Sequence, residues 1–211
     1  MKTKLIAMLA GAASLGLAYS GLAQTPKAPL TFAAGAIQVG GSIELAEFTT
    51  GKWTTPKGEI TQTGNEFSGT FETTTDPVKV WGEIEPSGTS ATCTINWTAK
   101  EPLEAGIILN LWFAQPDLVG ASISSEAKTI KLENVENKSE IGALYNVETL
   151  QIGPVGGNTL KVKLEAPSKT EALFYKFWTV RAFLVGAQGT SGETLLPETG
   201  RYTFTLETNG Q

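Results

Sequence analysis

Short segments of alternating apolar and polar residues constrain the fold of this 211-residue chain more than any other feature. Gly, Pro, Asn, Ser and Thr separate these segments at close intervals, and runs with the period of a helix are nearly absent. Period-two alternation places successive side chains on opposite faces of a strand. The clearest predicted strands are residues 67–72, 78–85, 89–98, 106–113, 118–124, 129–132, 147–152, 159–164, 172–185 and 201–207. About ten strands with one apolar face each predict an all-β fold, a two-sheet antiparallel β-sandwich of the jelly-roll or immunoglobulin-like kind.

The first 23 residues predict an export signal. Two lysines form a basic start, residues 5–18 are an uncharged apolar run, and Gly21 and Ala23 provide the small residues that a signal peptidase reads. The apolar run is shorter than the ~20 residues that a membrane-spanning helix needs, and no basic cluster follows it. We therefore expect cleavage before Gln24 and a mature chain without a transmembrane segment, located in the periplasm, in the cell envelope or outside the cell.

The mature chain has the length of one domain. Residues 24–36, in which two prolines lie among small residues, predict a leading segment. Residues 37–211 suit a single β-sandwich domain with a sizeable core. Within this domain, residues 172–185 are too long for one flat strand, so we expect a bent strand or two strands around Thr179.

Composition excludes several classes of chemistry. The chain contains no His and one Cys, so a Ser-His-Asp hydrolase, a Cys-His protease and a His-ligated zinc or copper site are excluded. Closely spaced Asp residues are also missing, which argues against a calcium loop. The sequence therefore predicts no metal and no cofactor. Cys93 shares the apolar side of its predicted strand with Ile95 and Trp97, so we expect a buried, unpaired thiol.

The charge of the chain is mildly acidic, with a formal net charge of −5. Its basic residues are scattered along the sequence and form no cluster. Nucleic-acid binding requires a concentrated basic surface. A nucleic-acid partner is therefore not expected.

Trp81 departs from the alternation of its strand. Apolar residues occupy the even positions of 78–85, whereas Trp81 falls with Lys79 and Glu83 on the polar face. Such a ring is typical of a platform on which a sugar stacks while neighbouring charged groups bind its hydroxyls. The alternative is that a loop or the leading segment covers the ring, or that an aromatic residue pairs with it across the strands.

Glu83 and Glu85 lie two residues apart on the same polar face. Their carboxyl groups are expected about 6–7 Å apart, a separation that suits an inverting glycosidase. Adjacent carboxylates on a strand are more commonly a solvated surface, because a catalytic acid needs a pKa raised by burial. A carboxylate-only glycoside hydrolase is accordingly the third hypothesis for function.

Trp178 and Arg181 form a second candidate site, in which the guanidinium group stacks on an aromatic ring or binds a planar polar group. The aromatic residues crowded from Phe174 to Trp178 are also typical of a core. In segment 106–113, which is apolar on both faces, Asn110 is the one polar residue. The candidate ligand-binding residues are Lys79, Trp81, Glu83, Trp178 and Arg181, and no catalytic residue is assigned.

Four motifs follow one another between Thr89 and Glu207. They are 95–98 (Ile-Asn-Trp-Thr), the strand around Leu109 with a loop into 129–132 (Thr-Ile-Lys-Leu), 157–162 (Gly-Asn-Thr-Leu-Lys-Val) and 200–206 (Gly-Arg-Tyr-Thr-Phe-Thr-Leu). Their order resembles the accessory β-sandwich domain that accompanies some bacterial glycoside hydrolases. The resemblance covers a little over half of the chain and implies association with carbohydrate. No catalytic barrel follows the motifs, so the resemblance carries over no catalytic residue.

These observations predict an exported, non-enzymatic β-sandwich protein that binds a polysaccharide or a cell-surface glycan. A structural or adhesive protein of the cell surface is the alternative. An exposed Trp81 in a groove would favour the first interpretation.

Overall fold

The computed structural model describes residues 28–49, 52–113, 118, 120–133, 140–174, 178–186 and 195–209. The predicted export signal at 1–23 lies outside these residues. The described chain forms fifteen strands: β1 (Leu30–Ala34), β2 (Ile37–Thr49), β3 (Lys52–Thr54), β4 (Lys57–Thr63), β5 (Glu66–Glu72), β6 (Val78–Ser87), β7 (Ser90–Thr98), β8 (Leu103–Phe113), β9 (Ser122–Ser124), β10 (Thr129–Lys131), β11 (Glu140–Val155), β12 (Asn158–Phe174), β13 (Trp178–Val185), β14 (Leu195–Leu196) and β15 (Thr199–Thr208). Strand pairs among the described residues are all antiparallel, which confirms the all-β fold.

Several strands lie where alternation predicts them. β5, β6, β7, β8 and β15 correspond to predicted segments within a few residues at each end. The long segment 172–185 contributes to two strands, because β12 ends at Phe174 and β13 begins at Trp178. Thr179 itself lies within β13.

β12 connects the two layers of the fold. Its residues 160–164 pair with β15, whereas its residues 170–174 pair with β13. Pro167 lies where the strand changes partner, a position that tolerates a residue without an N–H donor. The hydrogen-bonded order is β1-β2-β8-β13-β12-β15-β7-β6-β5-β4. One layer therefore runs from β1 to β12, and the other from β12 to β4.

The two ends of this strand order approach each other. The backbone N–H of Thr31 on β1 donates to Oε1 of Gln62 on β4 at 2.8 Å. β1 comes from the predicted leading segment, 24–36, and its Leu30 and Phe32 are 0% and 1% exposed. The described part of that segment thus belongs to the core, and the sheet is nearly closed, which protects strand edges that would otherwise pair with other chains.

A single large apolar cluster fills the space between the layers. Cys93 is buried as predicted, and burial raises the pKa of its thiol. Trp97 is also in the core, where its ring covers Gly200 and its Nε1 donates to the carbonyl oxygen of Pro197 at 3.0 Å. The close approach explains the glycine, since any side chain there would meet the indole.

Candidate functional site

Trp178 lies in the core and does not form a binding site with Arg181. Its side chain is 1% exposed and packs on Phe174, with 4.9 Å between ring centroids. Arg181 points to the other face of β13, because residues three apart on one strand lie on opposite faces. The structure therefore does not bring Trp178 and Arg181 together in one site.

The remaining predicted residues lie on two different layers. Arg181 is on the outer face of β13, and Lys79, Trp81 and Glu83 are on the outer face of β6. Three strands, β12, β15 and β7, separate β13 from β6 in the sheet. The structure therefore contains two candidate sites rather than one.

A row of polar side chains crosses four neighbouring strands around Arg181. Strand register aligns Ser42 on β2, Asn110 on β8, Arg181 on β13 and Glu171 on β12. Asn110 Nδ2 donates to Ser42 Oγ at 3.3 Å, and Arg181 Nε donates to Asn110 Oδ1 at 3.1 Å. Asn110 is only 2% exposed, so water competes little for these hydrogen bonds, and they hold the guanidinium group in place.

Glu171 links Arg181 to a second cation. Its Oε1 lies 2.6 Å from Lys169 Nζ, and its Oε2 lies 3.8 Å from Arg181 Nη1. The side chains of Glu171, Lys169 and Arg181 are 12%, 25% and 29% exposed, so solvent screens their interaction less than that of a surface pair. Lys169 Nζ also lies 5.1 Å from the ring centroid of Phe183, within the range of a cation–π contact.

These charged groups line a pocket of about 290 Å³, hereafter the Arg181 pocket. Trp53 and Phe183 supply apolar surface, and both belong to a small cluster of apolar side chains separate from the main core. Glu44 also lines the pocket, and its Oε1 accepts a hydrogen bond from Ser42 Oγ at 2.9 Å. Aromatic surface beside carboxylates and cations is suited to binding a polyhydroxylated ring.

Sequence reasoning identified Arg181 and the unusual Asn110 but missed the rest of the pocket. Glu44, Trp53, Lys169 and Glu171 lie on other strands, and only strand register brings them together. Period-two alternation could have placed these residues on the outward faces of their strands, but alternation does not show which strands are neighbours.

Trp81 lies on the opposite layer and is 43% exposed. Its cross-strand neighbours are Ser68 on β5 and Asn96 on β7, so neither is aromatic, and no described segment covers the ring fully. Beside the ring is an open groove of about 500 Å³, hereafter the Trp81 groove. Its outward-facing lining residues are Thr61, Thr63, Glu66, Ser68, Trp81, Glu83 and Asn96.

The side of Trp81 away from the groove has a second depression, of about 310 Å³, lined by Thr70 and Lys79. Lys79 and Glu83 thus lie on opposite sides of the indole along β6. Glu85 is not among the residues that line the groove, so the structure does not bring the Glu83–Glu85 pair into one concavity.

Among the described residues, no group of three or more His, Cys, Asp or Glu side chains is arranged to hold a metal ion. In the same part of the chain, no helix is long and apolar enough to cross a membrane.

No known protein family and no curated protein matches the sequence. Several solved structures are similar in fold, among them the following two. A chain from Escherichia coli K12 named "putative aldose 1-epimerase" is 11% identical with a TM-score of 0.51, and the match covers 79% of each chain. The Slr1438 protein from Synechocystis sp. PCC 6803 is 10% identical with a TM-score of 0.50, covering 82% of this chain and 78% of that one. At such identities the similarity establishes the fold.

The prediction of a non-enzymatic protein is contradicted by the first of these matches, because that chain carries the name of an enzyme. The physical reason for the error is that the lack of His and Cys chemistry left carboxylate and ammonium acid–base chemistry open. The groups that could perform it are assembled in the Arg181 pocket by strand register. The resemblance to accessory domains of glycoside hydrolases stays a prediction.

Proposed function

We propose that the protein binds an aldose in the Arg181 pocket and interconverts its two anomers. The observation that carries this proposal is the ordered row of Asn110, Arg181, Glu171 and Lys169, which places a carboxylate between two cations on one pocket wall. The fold similarity to a chain named as a sugar epimerase supports the choice of substrate class.

The dimensions of the pocket favour a single sugar ring. Its volume of about 290 Å³ is near the lower end, roughly 300 Å³, of common ligand pockets. Glu44 on β2 and Glu171 on β12 are separated by β8 and β13 and by two residues along the strands, so their backbones lie roughly 16 Å apart at the usual strand spacings. A ring between them can donate hydroxyl hydrogens to both carboxylates while its C–H face contacts Trp53 or Phe183.

Anomer interconversion requires a base and an acid. The base removes the proton of the O1 hydroxyl, the bond from C1 to the ring oxygen breaks, and its electron pair passes to the ring oxygen, which takes a proton from the acid. The open-chain aldehyde rotates about C1–C2, and the ring closes on the other face. In this second half the proposed acid takes back the proton of the former ring oxygen, and the proposed base returns its proton to O1. Glu171 is the proposed base and Lys169, whose Nζ lies 2.6 Å from the carboxylate, is the proposed acid. Arg181 stabilises the negative charge that develops on the sugar oxygen.

Polarimetry of freshly dissolved α-D-glucose and α-D-galactose tests this proposal. The wild type should accelerate the approach to the anomeric equilibrium, and Glu171→Gln should lower that acceleration by about 100-fold or more, because an amide cannot accept the proton. Glu72→Gln is the matched control, since Glu72 is an exposed carboxylate on β5 of the other layer. An unchanged rate with wild-type protein for a panel of aldoses would contradict the proposal, as would equal losses in the two variants.

A further inference from the structure

The Trp81 groove is a second site, on the layer opposite the Arg181 pocket. We propose that it binds an oligosaccharide that carries free amino groups, with the sugar rings lying along β6 over Trp81. The proposal does not depend on the reaction assigned to the Arg181 pocket, because the two sites have no lining residue in common.

The charge of the groove is negative and uncompensated. Glu66 on β5 and Glu83 on β6 are directly opposite each other, and both are exposed. Like charges in this arrangement destabilise a sheet. Among the described residues neither carboxylate forms an ion pair, and no Lys or Arg lines the groove. An ammonium group between the two carboxylates would neutralise this repulsion.

Trp81 indicates what kind of cation the groove accepts. A small inorganic cation would use the two carboxylates and gain little from an indole that is 43% exposed. A sugar ring stacks its C–H face on such an indole, and an amino group on the sugar gains from the π-face as well. Ser68 and Asn96, the cross-strand neighbours of Trp81, add neutral hydrogen-bonding groups at both sides of the ring. The combination favours an amino sugar over a metal ion.

The length of the surface favours more than one sugar unit. Lys79 and Glu83 are four residues apart on β6, about 13 Å at the strand repeat, and a depression lies on each side of the indole. This span exceeds one ring. Lys79 repels ammonium groups, so the amino groups of the ligand should lie at the end occupied by Glu66 and Glu83.

Titration calorimetry with the full-length protein tests the proposal. The probes are glucosamine oligomers with free amines, the same oligomers fully N-acetylated, and cello-oligomers of equal length. We expect binding of the amine form alone, weakened about tenfold or more by roughly 0.5 M salt because screening shortens the range of the attraction. Equal affinity for the N-acetylated oligomers would overturn the assignment of the carboxylates.

Three variants locate the binding. Trp81→Ala and Glu83→Gln should each weaken binding of the amine oligomers by about tenfold or more, whereas Trp81→Tyr should retain most of it because it keeps a stacking ring. Glu85→Gln is the matched control, since Glu85 is exposed on the same face of β6 but does not line the groove. Denaturant melts verify that each variant is folded.

Two results would contradict the proposal. Equal weakening by Glu85→Gln and Glu83→Gln would show that the overall acidic charge, not the groove, attracts the ligand. The second result would be that the protein binds a lysine oligomer of equal charge and that Trp81→Ala weakens the binding of neither this oligomer nor the amino sugar. The groove would then be a site for any polycation. Anomer interconversion by the groove variants should equal that of the wild type, which separates this test from that of the Arg181 pocket.

Discussion

The Arg181 pocket and the Trp81 groove both lie on outward faces of the sheet, but their polar groups are organised differently. At the pocket, Arg181 is held by an ion pair and by a hydrogen bond to Asn110, which is 2% exposed. In the groove, Trp81 is 43% exposed, and Glu66 and Glu83 repel each other without a partner among the described residues. Pre-oriented charges lower the cost of reorganisation during a reaction, whereas unpaired charges gain most when a ligand arrives. The first arrangement suits catalysis and the second suits docking.

A local strand accounts for part of this difference. β3 pairs with the end of β2, and the ring of Trp53 packs on Phe48 with 5.0 Å between centroids. Trp53 thereby closes one side of the Arg181 pocket and packs against Phe183 and its apolar neighbours. Beside Trp81, the lining residues come from β4, β5, β6 and β7, which are consecutive neighbours in one layer. The short hairpin of β2 and β3 therefore supplies a wall to the Arg181 pocket.

The largest expected effect is on stability, and it differs between Trp178 and Trp81, the two tryptophans predicted to bind ligand. Trp178→Ala should lower the free energy of unfolding by about 3–5 kcal/mol, because it removes a large side chain that is 1% exposed. Trp81→Ala should cost about 1 kcal/mol or less, since much of its ring is already in water. Urea denaturation of both variants measures the contrast. Similar losses would show that Trp81 is as much part of the core as Trp178.

A smaller effect on stability is expected from substitution of two asparagines that lie on outward faces of the sheet. Asn110→Ala leaves the Nε–H of Arg181 without its acceptor and removes the donor to Ser42 Oγ, and should cost about 1–3 kcal/mol. Asn96→Ala, in the Trp81 groove, should change stability by about 0.5 kcal/mol or less because Asn96 is partly exposed. Denaturant melts give both values. Anomer interconversion should fall in Asn110→Ala alone, and an equal stability loss at both positions would remove the distinction between an ordered pocket and an open groove.

Alternation predicted the strands whose two faces differ clearly in polarity. In β6, Val78, Val80 and Ile84 are buried while Lys79 and Trp81 are exposed, as period two requires. β2 escaped prediction because its inward positions include Gly41 and Glu47, which interrupt the apolar series. Glu47 is 6% exposed and tolerates burial because it accepts a hydrogen bond from the backbone N–H of Thr74 at 3.0 Å. Local alternation does not predict a buried carboxylate whose hydrogen-bond partner is distant in the sequence.

The Arg181 pocket was less predictable than the strands that form it. Its hydrogen bonds join residues far apart in sequence, 68 residues for Asn110 to Ser42 and 71 for Arg181 to Asn110. Period two gives the face of each residue but not the order of the strands. The same rule was sufficient to separate Trp178 from Arg181, since three residues along one strand reverse the face. By contrast, the outward position of Trp81 followed from one strand alone.

The smallest expected effect concerns the opposed carboxylates of the Trp81 groove. Glu83→Gln removes the repulsion with Glu66 across β5 and β6, so it should stabilise the free protein by about 0.2–1 kcal/mol. Screening should reduce the gain at roughly 0.5 M salt, because both side chains are exposed. Urea melts at low and high salt, with Glu85→Gln as the control, measure it. If Glu83→Gln raises stability and weakens amino-sugar binding, the repulsion is retained for binding. If Glu83→Gln lowers stability, this carboxylate supports the fold, which would contradict the contrast with the paired charges around Arg181.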